Sequence, residues 1–301
     1  MKQKSPAGDS FSYEMWEGNV GLVKLNLNNE AVCNHLLDAV KIWISDFYID
    51  GLRLDAADCI DKSFFKKLHD TTKQIDPDFW LMGEIIHGNY TDWANDEMLD
   101  STTNYECWKG IYSSHNDRNY FEIAYSLNRQ FGNNGIYRNL KLYNFLDNHD
   151  TSRIATLLKN PKNLNNVYTL LFTMPGVPTI YYGSEFALTG EKRSGCDGDY
   201  AVRPFLDIAE LTKKPNALLQ CIQELIELKK SNNVPQNGTY REILVRNEQF
   251  VFAREYDDDY VLVCLNCSDY PQNLSFQYNS RNYEFMVQPH SSVVFPKPVI
   301  K

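Results

Sequence analysis

Between Glu30 and Tyr48 apolar residues recur every three to four positions. Val32, Leu36, Val40, Trp43 and Phe47 share one face, and Asn29 stands where a cap belongs, so a helix is predicted from about Glu30 to Tyr48. Directly after it, "IDGLRLDAA" is a short apolar run that ends in Asp55 and predicts a strand. A mixed polar and apolar pattern predicts a second helix around Lys62–Ile75, and "FWLMGE" predicts a second buried strand, ending in Glu84. The alternation continues. "STTNYE" (101–106), "LYNFLDNHD" (142–150) and "VPTIYYG" (177–183) read as strands, with helices at Asn119–Phe131 and Asn165–Phe172. A helix around Pro215–Lys230 closes the series, while residues 1–20 lack periodicity and read as loop.

Strands that alternate with helices imply an α/β fold with a parallel sheet. Polar and acidic residues gather where these strands end, and in a (β/α)8 barrel that rim is where active sites are built. After "SNNVPQNG" the pattern changes to short segments rich in Val, Phe and Tyr, among them "REILVRN", "QFVFAREY", "DYVLVCLN" and "SSVVFP". These predict a small antiparallel β domain. The expected division is 1–235 for the barrel portion and 236–301 for the all-β domain.

The formal net charge of −9 argues against nucleic acid as the main partner, because phosphate binding needs concentrated Lys and Arg. The longest apolar runs are too short to span a membrane. Seven cysteines are scattered at 33, 59, 107, 196, 221, 264 and 267. Cys264 and Cys267 form a CxxC with no second pair or nearby His, so a strand and its turn explain them better than zinc. Scattered thiols fit a reducing compartment, and "MKQKSPAGDS" has no apolar core of a leader, so a cytoplasmic location is expected if Met1 is the true start.

Three acids stand at strand ends: Asp55, Glu84 and Asp150. Arg53 lies two residues before Asp55, and strand residues i and i+2 point to the same side, so the guanidinium can hold that carboxylate ionised and oriented. Glu84 follows an apolar run and a glycine, where desolvation would favour the protonated form that a general acid needs. Asp150 follows Asn148 and His149, two more hydrogen-bonding side chains. Carboxyls of unlike environment are what cleavage of a glycosidic bond requires. Trp93, Tyr181 and Tyr182 could stack on sugar rings or fill the core.

"DGLRLDAAD" (50–58), "LMGEIIH" (81–87) and "FLDNHD" (145–150) resemble the regions around the three catalytic acids of the α-amylase family of glycoside hydrolases. "GVPTIYYGSE" (176–185) resembles its last barrel-strand motif, and "LVKLN" (22–26) is similar to the MPKLN of neopullulanase and maltogenic-amylase relatives, with Val23 a departure. The resemblance covers about 13 to 301. It implies that Asp55 is the nucleophile, Glu84 the general acid/base and Asp150 a stabiliser of the distorted sugar. Arg53 and His149 match positions that orient the nucleophile and bind the sugar. The implied activity is a retaining α-glucan hydrolase acting on starch or maltodextrins, with an α-glucan as partner.

The family's D-x-x-x-N-H stretch has no acceptable match. "EAVCNH" (30–35) imitates it but lies on the helix before Asp55. The implied fold is therefore a partial TIM barrel, strands four to eight, followed by a small antiparallel β-sandwich, as if the chain lacked an N-terminal part. That expectation leaves open a different class of function: an inactive barrel fragment serving at most as a carbohydrate-binding or interaction module. It also implies free strand edges suited to self-association. No cofactor is expected and no metal ligand is assigned, although the resemblance allows calcium in a full-length enzyme.

Overall fold

A computed structural model describes residues 3–4, 12–195, 197–213 and 215–296; Cys196 and most of the first eleven residues lie outside that range. The chain divides into two compact units, one of residues 1–84 with 95–100 and the other of residues 85–94 with 101–301.

The first unit begins with a short antiparallel pair, β1 (Gln3–Lys4) and β2 (Ser12–Tyr13). Helix α1 (Glu30–Phe47) follows, with the Asn29 side chain accepting from the Ala31 amide as its cap. It ends at Tyr48, which takes a left-handed conformation and donates its N–H to the Ile44 carbonyl. The buried stripe is not the expected one. Cys33, Leu37 and Val40 face inward, whereas Trp43 is 44% and Phe47 70% exposed. Apolar residues occur all round α1, so spacing alone could not choose the inward face. "EAVCNH" does lie on this helix.

Strand β3 (Gly51–Leu54) leads through a tight turn to α2 (Lys62–Ile75), capped by Asp61 and buried along Phe64, Phe65, Leu68 and Thr72. Strand β4 (Trp80–Gly83) pairs in parallel with β3, register Gly51↔Trp80 to Leu54↔Gly83. Asp100 fixes β4 from the side. One of its carboxylate oxygens accepts the Leu81 amide at 2.7 Å, and the other accepts Lys73 Nζ at 2.8 Å. Gly83 is required by close approach: a Cβ there would lie 2.6 Å from Leu99 Cδ1 and 2.9 Å from Ala57 Cβ.

In the second unit β5 (Ser101–Thr102) is shorter than the 101–106 run predicted. Asn104 stops it, because its side chain accepts from the Cys107 amide and starts a helix, α3 (Tyr105–Asn116), that the pattern did not disclose. The same Asn104 joins a buried network, donating Nδ2 to Gln130 Oε1 and Asn144 Oδ1, each at 2.9 Å. Helix α4 (Phe121–Phe131), β6 (Tyr143–Phe145), α5 (Ile154–Leu157), α6 (Leu164–Thr173), β7 (Val177–Thr179), α7 (Ile208–Leu211) and α8 (Ala217–Ser231) follow. β6 and β7 are parallel, Tyr143↔Val177 to Phe145↔Thr179. Gly176, at φ +109°, makes the entry to β7 where any Cβ would strike the Leu142 carbonyl. α6 is buried at every position from Leu164 through Thr173 except the exposed Asn165.

After α9 (Asn233–Asn237) the chain is all β: β8 (Thr239–Val245), β9 (Gln249–Tyr256), β10 (Asp259–Asn266), β11 (Gln272–Tyr278), β12 (Arg281–Val287) and β13 (Ser291–Phe295). One antiparallel sheet has the order β13-β10-β9-β8, and β11 with β12 forms a second. Val251 and Cys264 from the first sheet pack against Leu274 and Val287 from the second. Cys264 is thus a core residue of β10, and burial pushes its thiol up to about 12. The sheets are tied to the helices by Arg254 of β9. It is 1% exposed, donates to the Thr173 carbonyl at 2.6 Å and reaches the Gly238 carbonyl with two further N–H groups. Burial without a carboxylate partner depresses its guanidinium to about 9. Among the described residues no helix is long and apolar enough to cross a membrane.

Candidate active site

Asp55 and Glu84 are the next residues after β3 and β4, and the register places Leu54 opposite Gly83. Neighbouring strands lie about 4.8 Å apart, so the two acids leave adjacent strand ends at the same level. The Glu84 amide donates to the Leu54 carbonyl at 2.9 Å, and the Glu84 carbonyl accepts the Ala57 amide, which pins both ends together. Arg53, two residues before Asp55, takes both carboxyls. Its NH1 lies 2.5 Å from Asp55 Oδ1 and its NH2 2.8 Å from Glu84 Oε2. The side-chain alternation of β3 therefore brings Arg53 against Asp55, the contact that the sequence suggested. The bond to Glu84 was not anticipated.

The two carboxyls differ in surroundings. The Glu84 side chain is 10% exposed and that of Asp55 77%. Ala56 turns the chain sharply after Asp55 at φ +41°, a left-handed position that a residue with a Cβ seldom takes. Such strain is often kept where a side chain must be aimed. Asp55 opens into a hollow of about 530 Å³ lined also by Met15, Trp16, Leu22, Val23 and Ile60.

The second unit holds His149 and Asp150, in the loop after β6. Asp147 anchors that loop. It is buried, accepts the Ile154 amide at 2.8 Å and the Ser184 hydroxyl at 2.7 Å, and burial pushes its carboxyl up. Asn148 turns the chain, its side-chain oxygen accepting the Asp150 amide while its Nδ2 donates to the Tyr105 hydroxyl. His149 Nε2 lies 2.9 Å from Asp150 Oδ2. The other Asp150 oxygen receives Arg203 NH2 at 2.9 Å, with Lys192 Nζ at 3.7 Å. Arg203 also donates Nε to the His149 carbonyl at 3.0 Å, so one guanidinium holds both residues. Asp199 shares these cations, and its hydrogen bond from Lys192 holds its carboxyl below the usual range.

The structure thus brings Arg53, Asp55 and Glu84 together in the first unit, and His149 and Asp150 in the second. The sequence reading missed Lys192, Asp199 and Arg203. They stand about 40 to 55 residues after Asp150 in a loop without periodicity, where only a contact map could reveal them. The aromatic candidates are only partly buried, with Tyr182 41% exposed. Arg153 lies fully buried over the Tyr181 ring at 4.1 Å and the Tyr182 ring at 5.0 Å. Tyr182 also donates its hydroxyl to the Pro204 carbonyl. Trp93 packs close over Gly88, where a Cβ would sit 3.1 Å from its ring. Among the described residues no group of three or more His, Cys, Asp or Glu side chains could hold a metal ion.

The comparisons with known proteins agree with these motifs. A family model described as "Alpha amylase, catalytic domain" matches residues 4–223. The chain is 29% identical over 266 residues to a cyclomaltodextrinase of a Bacillus species, covering 87% of this chain and 45% of that protein. It is 28% identical over 272 residues to the intracellular maltogenic amylase of Bacillus subtilis, covering 88% and 45%. The chain thus spans about half the length of the curated relatives it matches. Among solved structures, the ligand-free cyclic α-maltosyl-(1→6)-maltose hydrolase of Arthrobacter globiformis superposes with a TM-score of 0.80 at 22% identity. That match covers 94% of this chain and 64% of the other, and shows the fold alone. A solved cyclomaltodextrinase gives 0.77 at 26% identity, covering 92% and 47%. These likenesses make the fold a partial TIM-barrel catalytic domain with a C-terminal antiparallel sheet domain. With the catalytic-domain model matching more than half of its length, the chain belongs to the α-amylase family.

Proposed function

We propose that this chain carries the catalytic carboxylates of a retaining α-glucan hydrolase acting on starch-type or cyclic maltodextrins. The observation that carries the reading is the single guanidinium of Arg53 shared by Asp55 and Glu84. Two carboxyls held by one guanidinium can flank one glycosidic bond, and retaining cleavage needs a separation of only about 5–5.5 Å. Asp55, the more open of the two, attacks the anomeric carbon and forms a glycosyl ester. Glu84, enclosed beside it, gives its proton to the departing glycosidic oxygen. It then takes a proton from the water that hydrolyses the ester. Arg53 keeps Asp55 aimed. Asp150 and His149 grip ring hydroxyls of the sugar being distorted, and Arg203 holds that pair in place.

The barrel portion is read as strands four to eight, spanning 1–235, with 236–301 as the accompanying β-sandwich. The relatives' names, cyclomaltodextrinase and maltogenic amylase, support maltodextrins as the substrate class. Six unpaired cysteines among the described residues suit a cytoplasmic site of action.

The test is to trap the covalent intermediate with an activated fluorinated α-glucosyl fluoride and to map the labelled peptide. Label on Asp55, absent in Asp55→Asn, is the expected result. Stoichiometric label on any other carboxylate would overturn the assignment.

A further inference from the structure

Another hollow, of about 520 Å³, opens within the second unit where the helices meet the all-β domain. The loop between α4 and β6 forms one side, with Arg138 and Asn139. The end of α9 and the start of β8 form the other, with Asn237, Gly238 and Thr239. Pro175, two residues before β7, closes it. The hollow thus lies where β6 and β7 begin, whereas His149 and Asp150 follow the end of β6. It shares no residue with the candidate active site.

Four cations gather around it. Arg138 is exposed in its lining and donates NH1 to the Asn133 carbonyl at 3.1 Å. Lys141 holds the lining Asn237, with Nζ 3.1 Å from its Oδ1. Behind the wall, the buried Arg254 donates NH2 to the Gly238 carbonyl at 2.6 Å. Lys229 donates Nζ to the Pro235 carbonyl at 2.8 Å, and burial, Arg254 and Lys141 together depress its ammonium to about 7. Among the described residues that line the hollow there is no Asp or Glu. Nor does a carboxylate stand among the groups that shift Lys229 or Arg254. In a chain with 39 acidic and 30 basic residues, composition alone would put acids among four neighbouring cations. Like charges held together raise each other's energy, and a recess walled by one sign of charge concentrates the opposite ion.

We propose that this hollow binds a phosphate group, either the free ion or one carried on a small hydroxylated molecule, at a place apart from the glycosidic chemistry. Arg138 supplies the planar fork that meets two phosphate oxygens at once, and Lys141 supplies a point charge beside it. Arg254 and Lys229 stay on their carbonyls and favour the dianion through their field, without touching it. The Asn139 and Asn237 amides and the Thr239 hydroxyl are exposed and give a hydroxylated carrier its hydrogen bonds. The volume lies in the range of sites for small ligands, about 300–1,000 Å³, and leaves room beyond a bare phosphate. The proposal is independent of the role given to Asp55.

The test titrates the whole chain with inorganic phosphate, glucose 6-phosphate and glucose by calorimetry at pH 8 and constant ionic strength. Both phosphates should bind and glucose should not. Tighter binding of glucose 6-phosphate assigns the carried phosphate, and tighter binding of inorganic phosphate assigns the free ion; either result supports the proposal. Arg138→Gln and Lys141→Gln should each weaken binding about tenfold, the loss of one charge-assisted bond. Both side chains are exposed, so the unliganded variants should melt as the parent does. Independently of any variant, the parent's melting temperature should rise with either phosphate and stay fixed with glucose, and added salt should weaken the effect. Failure of both phosphates to bind or to raise the parent's melting temperature overturns the proposal. So does equal binding by the parent and the double variant Arg138→Gln with Lys141→Gln. Loss of binding in Arg203→Ala, with the double variant unaffected, would put the anion beside Asp150 and would also overturn it. Glucose binding as tightly as glucose 6-phosphate would show that the sugar and not the phosphate is recognised, with the same consequence.

Discussion

Lys229 on α8 should make the stability of this protein rise with pH across neutrality. The residue is half-buried, but its Nζ points at two backbone carbonyls, Gly176 at 3.0 Å and Pro235 at 2.8 Å. No carboxylate stands among the groups that shift it. Desolvation, then Arg254, then Lys141 lower its ammonium from 10.5 to about 7. A neutral amine still has two N–H groups for the two carbonyls, so deprotonation sacrifices neither bond. Between the folded value of about 7 and the unfolded 10.5, the unfolded chain binds more protons than the folded one, and stability therefore increases with pH. The penalty is fully present below about 7 and is relieved as pH rises. Integrated from pH 6 to 8.5, the gain is on the order of 2 kcal/mol. Lys229→Met removes the titration and both hydrogen bonds, which costs about 1 kcal/mol per bond at all pH values. Urea unfolding of both proteins at half-unit steps between pH 6 and 8.5 measures the difference. The parent should gain about 2 kcal/mol on the variant over that window. Curves parallel to within about 0.5 kcal/mol would refute the reasoning, since groups common to both cancel in the difference.

Gly83→Ala should destabilise the first unit by about 1–3 kcal/mol and slow labelling of Asp55. The new methyl would meet Ala57 Cβ, which cannot swing away, one residue before Glu84. Unchanged melting would show that β3 and β4 have more slack than their contacts indicate. Arg203→Ala, in a form of the protein that hydrolyses maltodextrins, should lower kcat/KM about ten- to hundredfold through loss of the Asp150 and His149 geometry. Arg203→Lys should recover only part, because an ammonium cannot reproduce the two-point hold. Equal activity in all three would remove Arg203 from the site.

The parts of the site that sequence discloses are those where periodicity meets chemistry. β3 and β4 are short, mostly apolar and parallel, so the residues that follow them, Asp55 and Glu84, could be identified from the run lengths. Arg53 followed from a two-residue alternation, which is a property of any extended chain. The loop after β6 was legible for a different reason: Asp147, Asn148, His149 and Asp150 crowd four polar side chains directly after an apolar strand. α3 was hidden by the same kind of residue that reveals other helices. Asn104 was read as part of a strand, although its side-chain oxygen caps the next helix. On α1, eleven apolar residues among eighteen give several plausible faces, and packing rather than pattern chose the one with Cys33, Leu37 and Val40.

What stayed hidden is held by contacts between distant segments. Arg203 reaches Asp150 across 53 residues, and Arg254 reaches the Thr173 carbonyl across 81. Neither leaves a local trace, because an arginine in a loop and an arginine in a strand look alike until their partners are known. The consequence concerns charge. Read from sequence, Glu84 was an isolated acid in an apolar setting, and Asp150 an acid flanked by neutral donors. In the fold each acquires a cation, Arg53 for Glu84 and Arg203 for Asp150. A buried or half-buried carboxyl with such a partner is fixed in direction. Chemistry at a glycosidic bond requires fixed direction, since a nucleophile and an acid must meet opposite sides of one C–O bond. In the proposed reading the arginines therefore matter as much as the acids they hold, and Arg203 had to be found through its contacts rather than its position in the chain.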